Sequence, residues 1–267
     1  MVVINVSRAA LAVSAAAVLV LTGGAAVSTS VADSGGLLGD DTVASAAVPA
    51  TPSPAPTTAA TDAVGALFSG GKHFCSASVV HSPAGDLVLT AAHCLGGGTE
   101  GLTFEPGYHD GVAPYGSWTV TAAAVPAGWT ASADPDLDFA FLTVTQPGTA
   151  APLESLTGAN RLGVDRGFTN PITLTGYPDP ADAPVVCANT TTQSDTYQQR
   201  VECPGFPDGT SGGPWVTAAD PATGLGTVIG VIGGYEQGGD TPDVSYSAYF
   251  DGNIQQLYDS VTADVGR

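Results

Sequence analysis

From Ala63 onward the chain consists of short apolar runs cut by glycine, proline, aspartate and asparagine, and this punctuation narrows the folds open to it. The runs are Ser76–Val80, Leu87–Ala92, Trp118–Val125, Phe139–Val144, Ile172–Gly176, Val228–Gly233 and Val244–Phe250. Each suits a strand and is too short for a core helix, and the residues between them favour turns. The pattern predicts an all-β protein. One segment departs from it. Ile254, Leu257, Tyr258 and Val261 recur at helical spacing, with Asn253 as a candidate cap. No repeat of solenoid or propeller period is present.

The first 62 residues have a different character. Arg8 precedes an apolar run, Ala9–Leu21, interrupted only by Ser14, and small residues then lead to Ser30-Val-Ala32. This is the layout of a signal peptide ending at residue 32. The alternative, a membrane anchor, needs a longer run, and no second long apolar stretch follows. Residues 33–62 are rich in Ala, Pro, Thr and Ser, with Pro49, Pro52, Pro54 and Pro56 set against regular structure. They read as a disordered linker or a pro-segment. The folded domain is expected over 63–267. An extracellular location follows, with no membrane association once the signal is removed.

Removing residues 1–32 from the 267 leaves 235, enough for one large β domain or two small ones. The formal charge of −19 becomes −20 when Arg8 is lost. Nucleic-acid binding needs clustered Lys and Arg, so this balance argues against it. Four cysteines, an even number in an exported chain, indicate two disulfides. Three connectivities are open. Pairing near neighbours, Cys75 with Cys94 and Cys187 with Cys203, closes loops of 19 and 16 residues of separation. Each such loop adds about 3 kcal/mol in the chain-entropy model. No CxxC pair supports a zinc site, and no phosphate loop or dinucleotide fingerprint is present, so neither a metal nor a cofactor is expected.

Three islands carry the chemistry: Thr90-Ala-Ala-His93-Cys94, Asp136-Leu-Asp138-Phe-Ala-Phe-Leu142 and Gly209-Thr-Ser211-Gly-Gly-Pro214. His73, His81 and His109 lack a comparable setting, whereas His93 follows a strand-like run and adjoins a cysteine. A base has to be held rigidly to accept a proton in one geometry. Asp134, Asp136 and Asp138 alternate, but the glycine and terminal glutamate of an EF-hand loop are missing at the required offsets. Asp138 leads directly into apolar Phe139–Leu142 and is the carboxylate best placed to be buried; Asp136 is second. Ser211 lies among glycines that permit a sharp turn, and the N–H groups of Gly209 and Ser211 can converge on an oxyanion. The competing interpretation of this island is a glycine-rich turn between strands.

The three islands, in the order His, Asp, Ser, resemble the motifs of the chymotrypsin-like (trypsin-like) serine peptidases, in particular their secreted bacterial branch. The resemblance spans roughly residues 63–262. It implies two antiparallel six-stranded β-barrels, about 63–150 and 151–250, with the active site in the cleft between them and a C-terminal α-helix at about 252–263. It also implies a triad of His93, Asp138 and Ser211, an oxyanion hole from the N–H groups of Gly209 and Ser211, and a Cys75–Cys94 disulfide beside the base. Cys187–Cys203 has no secure counterpart in the family.

Two departures matter. Animal members have an aspartate before the nucleophile that binds a newly cut N-terminal amine; Thr210 stands there in this chain. No Lys or Arg lies between Arg8 and Lys72, so no tryptic cleavage site precedes the domain. Both predict a site formed without terminal-amine insertion. The residue six positions before the nucleophile, acidic in trypsin, is Gly205. Val228–Tyr235, with Gly233 and Gly234, resembles the strand lining the primary pocket. Thr241-Pro-Asp243-Val244 resembles its far wall, which would bring Asp243 into the pocket as a partner for a basic side chain; on another alignment Asp243 faces solvent. Asp208 is a second acid near the cleft.

The expected function is a secreted, monomeric serine endopeptidase acting on proteins or peptides through an acyl-enzyme on Ser211. The alternative is a non-catalytic extracellular binding protein on the same fold. An esterase of the α/β-hydrolase type is disfavoured, because there the serine precedes the other two residues.

Overall fold

The computed structural model describes residues 51–263. The signal peptide and most of the segment after it lie outside the described residues. Described structure begins ahead of Ala63. Strand β1 (Ser53–Pro54) and helix α1 (Ala59–Asp62) belong to the domain and correct the expectation of a linker through residue 62. Pro54 is tolerated because β1 is an edge strand, where a missing N–H removes no ladder bond. Ala55 is buried, and its N–H donates to the Pro184 carbonyl at 3.0 Å. At α1 the Thr61 hydroxyl accepts from the Thr58 N–H at 2.9 Å and donates to the Pro56 carbonyl at 2.7 Å.

Six strands form a closed barrel: β2 (Val64–Ser69), β3 (Lys72–Val80), β4 (Leu87–Thr90), β5 (Thr103–Pro106), β6 (Trp118–Ala124) and β7 (Ala140–Thr145), in the order β2-β3-β4-β7-β6-β5. Closure removes every free edge and packs Leu67, Val79, Val88, Phe104, Trp118, Leu142 and Val144 inside. Helix α2 (Ala127–Ser132) lies in the β6–β7 connection.

The second half begins with helix α3 (Leu153–Thr157) and contains β8 (Arg161–Leu162), β9 (Pro171–Gly176), β10 (Val185–Thr190), β11 (Thr192–Asp195), β12 (Gln198–Glu202), β13 (Pro214–Thr217), β14 (Thr227–Val231) and β15 (Val244–Ala248). It differs from the expected second closed barrel. A six-stranded sheet, β1-β10-β9-β13-β14-β8, stands beside a three-stranded one, β11-β12-β15, and the β14–β8 pair is parallel. At the seam one backbone bond, from the Gly233 N–H to the Tyr246 carbonyl at 3.0 Å, is joined by bonds from polar side chains. Gln199 Nε2 donates to the Ile229 carbonyl at 2.7 Å, and the Val231 N–H donates to Ser247 Oγ at 3.1 Å. Ile172, Leu174, Val201, Phe206, Trp215 and Ile229 form the core of this half.

Helix α4 (Gly252–Thr262) matches the expected C-terminal helix. Ile254 is buried, and Leu257, Tyr258 and Val261 pack on the barrel core. Its cap is Asp251, which accepts the Asn253 N–H at 2.8 Å, and not Asn253 itself. The Tyr258 hydroxyl donates to the His81 carbonyl at 2.8 Å, tying the helix to the first barrel.

Candidate active site

The register of two barrel strands brings the first two candidates together. β4 and β7 are antiparallel, and Thr90 pairs with Ala140. The chain leaving β4 and the chain entering β7 therefore meet at the same barrel end. The first turns through a 3-10 segment, Ala92–Leu95, which carries His93; the second arrives through another, Pro135–Leu137, followed by Asp138. Asp138 is fully buried. Its Oδ1 accepts the His93 backbone N–H at 2.9 Å, and its Oδ2 accepts His93 Nδ1–H at 2.7 Å and the Gly234 N–H at 2.8 Å. A buried carboxylate persists when its lone pairs are used in this way. The Nδ1 partner fixes the imidazole tautomer and leaves Nε2 free to accept a proton. The neighbouring acids have other tasks. Asp136 Oδ1 accepts from Gln198 Nε2 at 2.7 Å, and Asp134 Oδ1 accepts the Asp136 N–H at 3.1 Å.

Ser211 lies just ahead of β13. The Gly212 N–H donates to the Ile232 carbonyl at 2.7 Å, and the Ile232 N–H returns to the Gly213 carbonyl at 3.0 Å, so the β13–β14 ladder extends to the serine. The Ser76 N–H donates to the Ser211 carbonyl at 2.7 Å and joins the loop to the first barrel. Gly212 cannot be another residue. Its φ is +81°, and an added Cβ would lie 2.2 Å from both the Ser76 carbonyl oxygen and Thr90 Oγ1. Neither the Gly209 N–H nor the Ser211 N–H has an acceptor among the described residues. His93 and Ser211 line one cleft of about 1020 Å³. Ser211 Oγ makes no hydrogen bond among the described residues.

The disulfides are Cys75–Cys94 and Cys187–Cys203, with Cα separations of 6.3 Å and 5.9 Å. The first anchors the turn bearing His93 to β3. Cys75, His93 and Cys94 are close enough together to suggest a metal site, but the two sulfurs are bonded to each other and offer no thiolate. The second ties β10 to the segment that leads into the Ser211 loop.

Residues 75–231, more than half of the chain, match the trypsin-like peptidase domain. The chain belongs to the trypsin-like peptidases. Among solved structures it is similar to the protease Anisep from Arthrobacter nicotinovorans, at 26% identity and a TM-score of 0.65, over 77% of this chain and 98% of that one. The thermostable serine protease AL20 from an extremophilic microorganism also matches at 26% identity, with a TM-score of 0.67, over 77% and 99%. A Glu endopeptidase, at 17% identity and a TM-score of 0.63 over 80% and 97%, shares the fold. No curated protein matches the sequence. As a trypsin-like peptidase the chain acts on proteins or peptides.

The remaining candidates of this peptidase lie at different places around the site. Asp208 is exposed and lines the cleft. Gly233 and Gly234 do not line it. They lie behind Asp138, where an added Cβ on Gly233 would come 3.0 Å from Asp138 Oδ2. Gly205 also lies off the cleft and faces Pro52; an added Cβ there would come 3.0 Å from Pro52 Cγ. Asp243 is exposed and outside the cleft lining, which corrects its expected place as an acid within the pocket. The Phe206 N–H donates to the Pro242 carbonyl at 3.0 Å, and Pro242 is part of the cleft wall. The lining acids are Glu100, Asp208, Glu236 and Asp240, and among the described residues no Lys or Arg lines the cleft. Sequence reasoning missed Glu100, Glu236 and Asp240, since only the fold of their loops aims them at one space.

Proposed function

We propose that this peptidase is an exported serine endopeptidase with His93 as base, Asp138 as orienter and Ser211 as nucleophile. The observation that carries this reading is the double grip of Asp138 on His93, through its backbone N–H and its Nδ1–H, at the wall of the cleft that also holds Ser211. In the first half-reaction His93 Nε2 takes the Ser211 hydroxyl proton as Oγ attacks the peptide carbonyl. The oxyanion accepts from the Gly209 and Ser211 N–H groups. His93 then gives the proton to the leaving amine as the C–N bond breaks, leaving an acyl ester on Ser211. A water deprotonated by His93 attacks the ester, the C–Oγ bond breaks, and the proton returns to Ser211. Two disulfides support an oxidising destination, and among the described residues no helix is long and apolar enough to cross a membrane.

The cleft acids support a preference for peptides with cationic or neutral side chains and a disfavour of acidic ones, through long-range repulsion that salt screens. Fluorophosphonate labelling and a fluorogenic peptide panel test both parts. Wild-type protein is expected to label once, at Ser211, and to cleave; Ser211→Ala is expected to do neither. A folded wild type that resists the label would instead support the binding-protein alternative. Equal cleavage of acidic and basic peptides at low salt would remove the charge preference.

A further inference from the structure

The loop that carries Gly209 is fixed from behind the cleft by consecutive carbonyls. The Asp208 carbonyl accepts the Asp179 N–H at 2.8 Å, and the Thr210 carbonyl accepts the Gly213 N–H at 2.9 Å. Between them, the Gly209 carbonyl accepts Ser76 Oγ–H at 3.0 Å and lies 3.3 Å from His73 Nε2. In a trans peptide the C=O and N–H point opposite ways. A pinned Asp208 carbonyl therefore aims the Gly209 N–H, and a pinned Thr210 carbonyl aims the Ser211 N–H. Gly209 is the weak point between them. Its φ is +89°, and glycine crosses between backbone conformations at little cost, so the peptides on either side of it can turn over unless both are held.

Ser76 is one of two fully buried serines, with Ser78, in the mostly apolar second half of β3. A buried hydroxyl is costly unless satisfied, and this one is: it accepts the Tyr177 N–H at 2.9 Å while donating to Gly209. His73 adds a second contact from the same strand. Its ring sits between Phe68 and Tyr177, with centroids 6.1 Å and 5.9 Å away. Thr210 offers no substitute. It carries no charge, and its hydroxyl is spent on the Pro207 carbonyl at 2.6 Å.

We propose that Ser76 and His73 are positioning residues: by holding the Gly209 carbonyl they fix the Gly209–Thr210 peptide, and together with the Asp208 carbonyl held by Asp179 this keeps the loop in the conformation in which the Gly209 N–H faces the substrate oxyanion. The proposal rests on the oxyanion role given to Gly209 above. Neither residue touches substrate; both act through the Gly209 carbonyl.

The test compares Ser76→Ala, His73→Leu and His73→Gln with wild type in kcat, KM and affinity for a peptide boronic acid. The boronate is matched to a fluorogenic peptide that the wild type cleaves. It forms a tetrahedral adduct on the serine and reads the oxyanion hole directly, which a merely structural role would not move. Ser76→Ala is expected to lower kcat and boronate affinity together, by about tenfold, less than outright loss of an oxyanion donor, with KM within about twofold. His73→Leu is expected to shift both in the same direction, and His73→Gln, which keeps a donor, to restore them. Folded variants with wild-type kcat and boronate affinity, or with a change in KM alone, would overturn the proposal. Should Ser76→Ala fail to fold, the His73 pair decides. A wild type that neither cleaves nor labels overturns the parent reading and this one with it; an active wild type with indifferent variants overturns this one alone.

Discussion

Thr90 and Ala140 are paired across β4 and β7, and that register sets His93 beside Asp138 although 45 residues separate them. The strand ends do the positioning, and the carboxylate only has to accept. Replacing Asp138 therefore tests orientation and stability at once. Asp138→Asn keeps the shape but turns a donor toward His93, which favours the wrong tautomer; kcat is expected to fall about 10⁴-fold. Asp138→Ala leaves the His93 and Gly234 N–H groups without an acceptor and is expected to cost about 2–4 kcal/mol of stability. Peptide hydrolysis and urea denaturation measure the two effects. An asparagine variant with near-wild-type kcat would remove Asp138 as orienter.

The segment before Ala63 is expected to be a structural part of the domain. β1 adds to the β10 edge, Ala55 is buried, and Tyr115 donates to Asp62 Oδ2 at 2.8 Å. A chain of residues 63–267 loses all three and is expected to be about 2–3 kcal/mol less stable than residues 51–267, from the lost hydrogen bonds and apolar burial. Chains beginning at residues 33 and 51 are expected to be equally active, because the oxyanion loop is held by internal contacts. Thermal melts and peptide hydrolysis of the three chains check this. Activity that depends on one particular N-terminus would refute it.

The parts legible in the sequence are those whose chemistry is local. The His93 and Ser211 islands combine the reactive residue with its cysteine or glycines within a few positions, and Asp138 is separable from Asp136 because it adjoins Phe139–Leu142. The α4 stripe is equally local, though its cap falls at Asp251 and not at the expected Asn253. What stays hidden depends on distant partners. β1 exists only because Val185 and Val186, far along the chain, offer it an edge. β12, Gln-Gln-Arg-Val-Glu, has no apolar run to mark it, and its Gln199 is buried because it bridges to Ile229 at the seam of two sheets. Ser76 reads as one of two serines in the mostly apolar second half of its strand; its role emerges only when Gly209 and Tyr177 arrive from the second half of the chain. Asp243 is misplaced by the sequence because loop alignment cannot tell which of Pro242 and Asp243 faces the cleft.

Reduction is expected to inactivate the peptidase before it unfolds it. Cys75–Cys94 anchors the His93 turn, and Cys94 Sγ lies 3.8 Å from the Ser211 carbonyl oxygen. A Cys75→Ser, Cys94→Ser double variant is expected to lose about 3 kcal/mol of stability, as for a loop of this size, and to lose activity at temperatures where circular dichroism still reports a folded chain. The matching Cys187→Ser, Cys203→Ser variant is expected to lose similar stability with a smaller effect on kcat, because that bridge lies on the core side of the second half. Equal kcat losses would show that neither bridge has a special hold on the site.

Acid stability should carry a contribution from His73. Burial lowers its pKa below the ordinary 6.5, even though the Gly209 carbonyl, Asp179 and Asp182 pull the other way. The neutral ring is thus favoured in the folded chain relative to the unfolded one. In the window between its folded pKa and 6.5 the unfolded chain binds more protons, so stability falls as pH drops through that window and levels off below it. His73→Gln removes the titration and keeps the donor to Gly209. Its stability is expected to decline less than that of wild type as pH is lowered from about 7, with the two proteins closest above the ordinary histidine range. Paired urea titrations across this range read the difference directly. Parallel curves would mean that His73 is protonated alike in both states and contributes nothing to the acid limb.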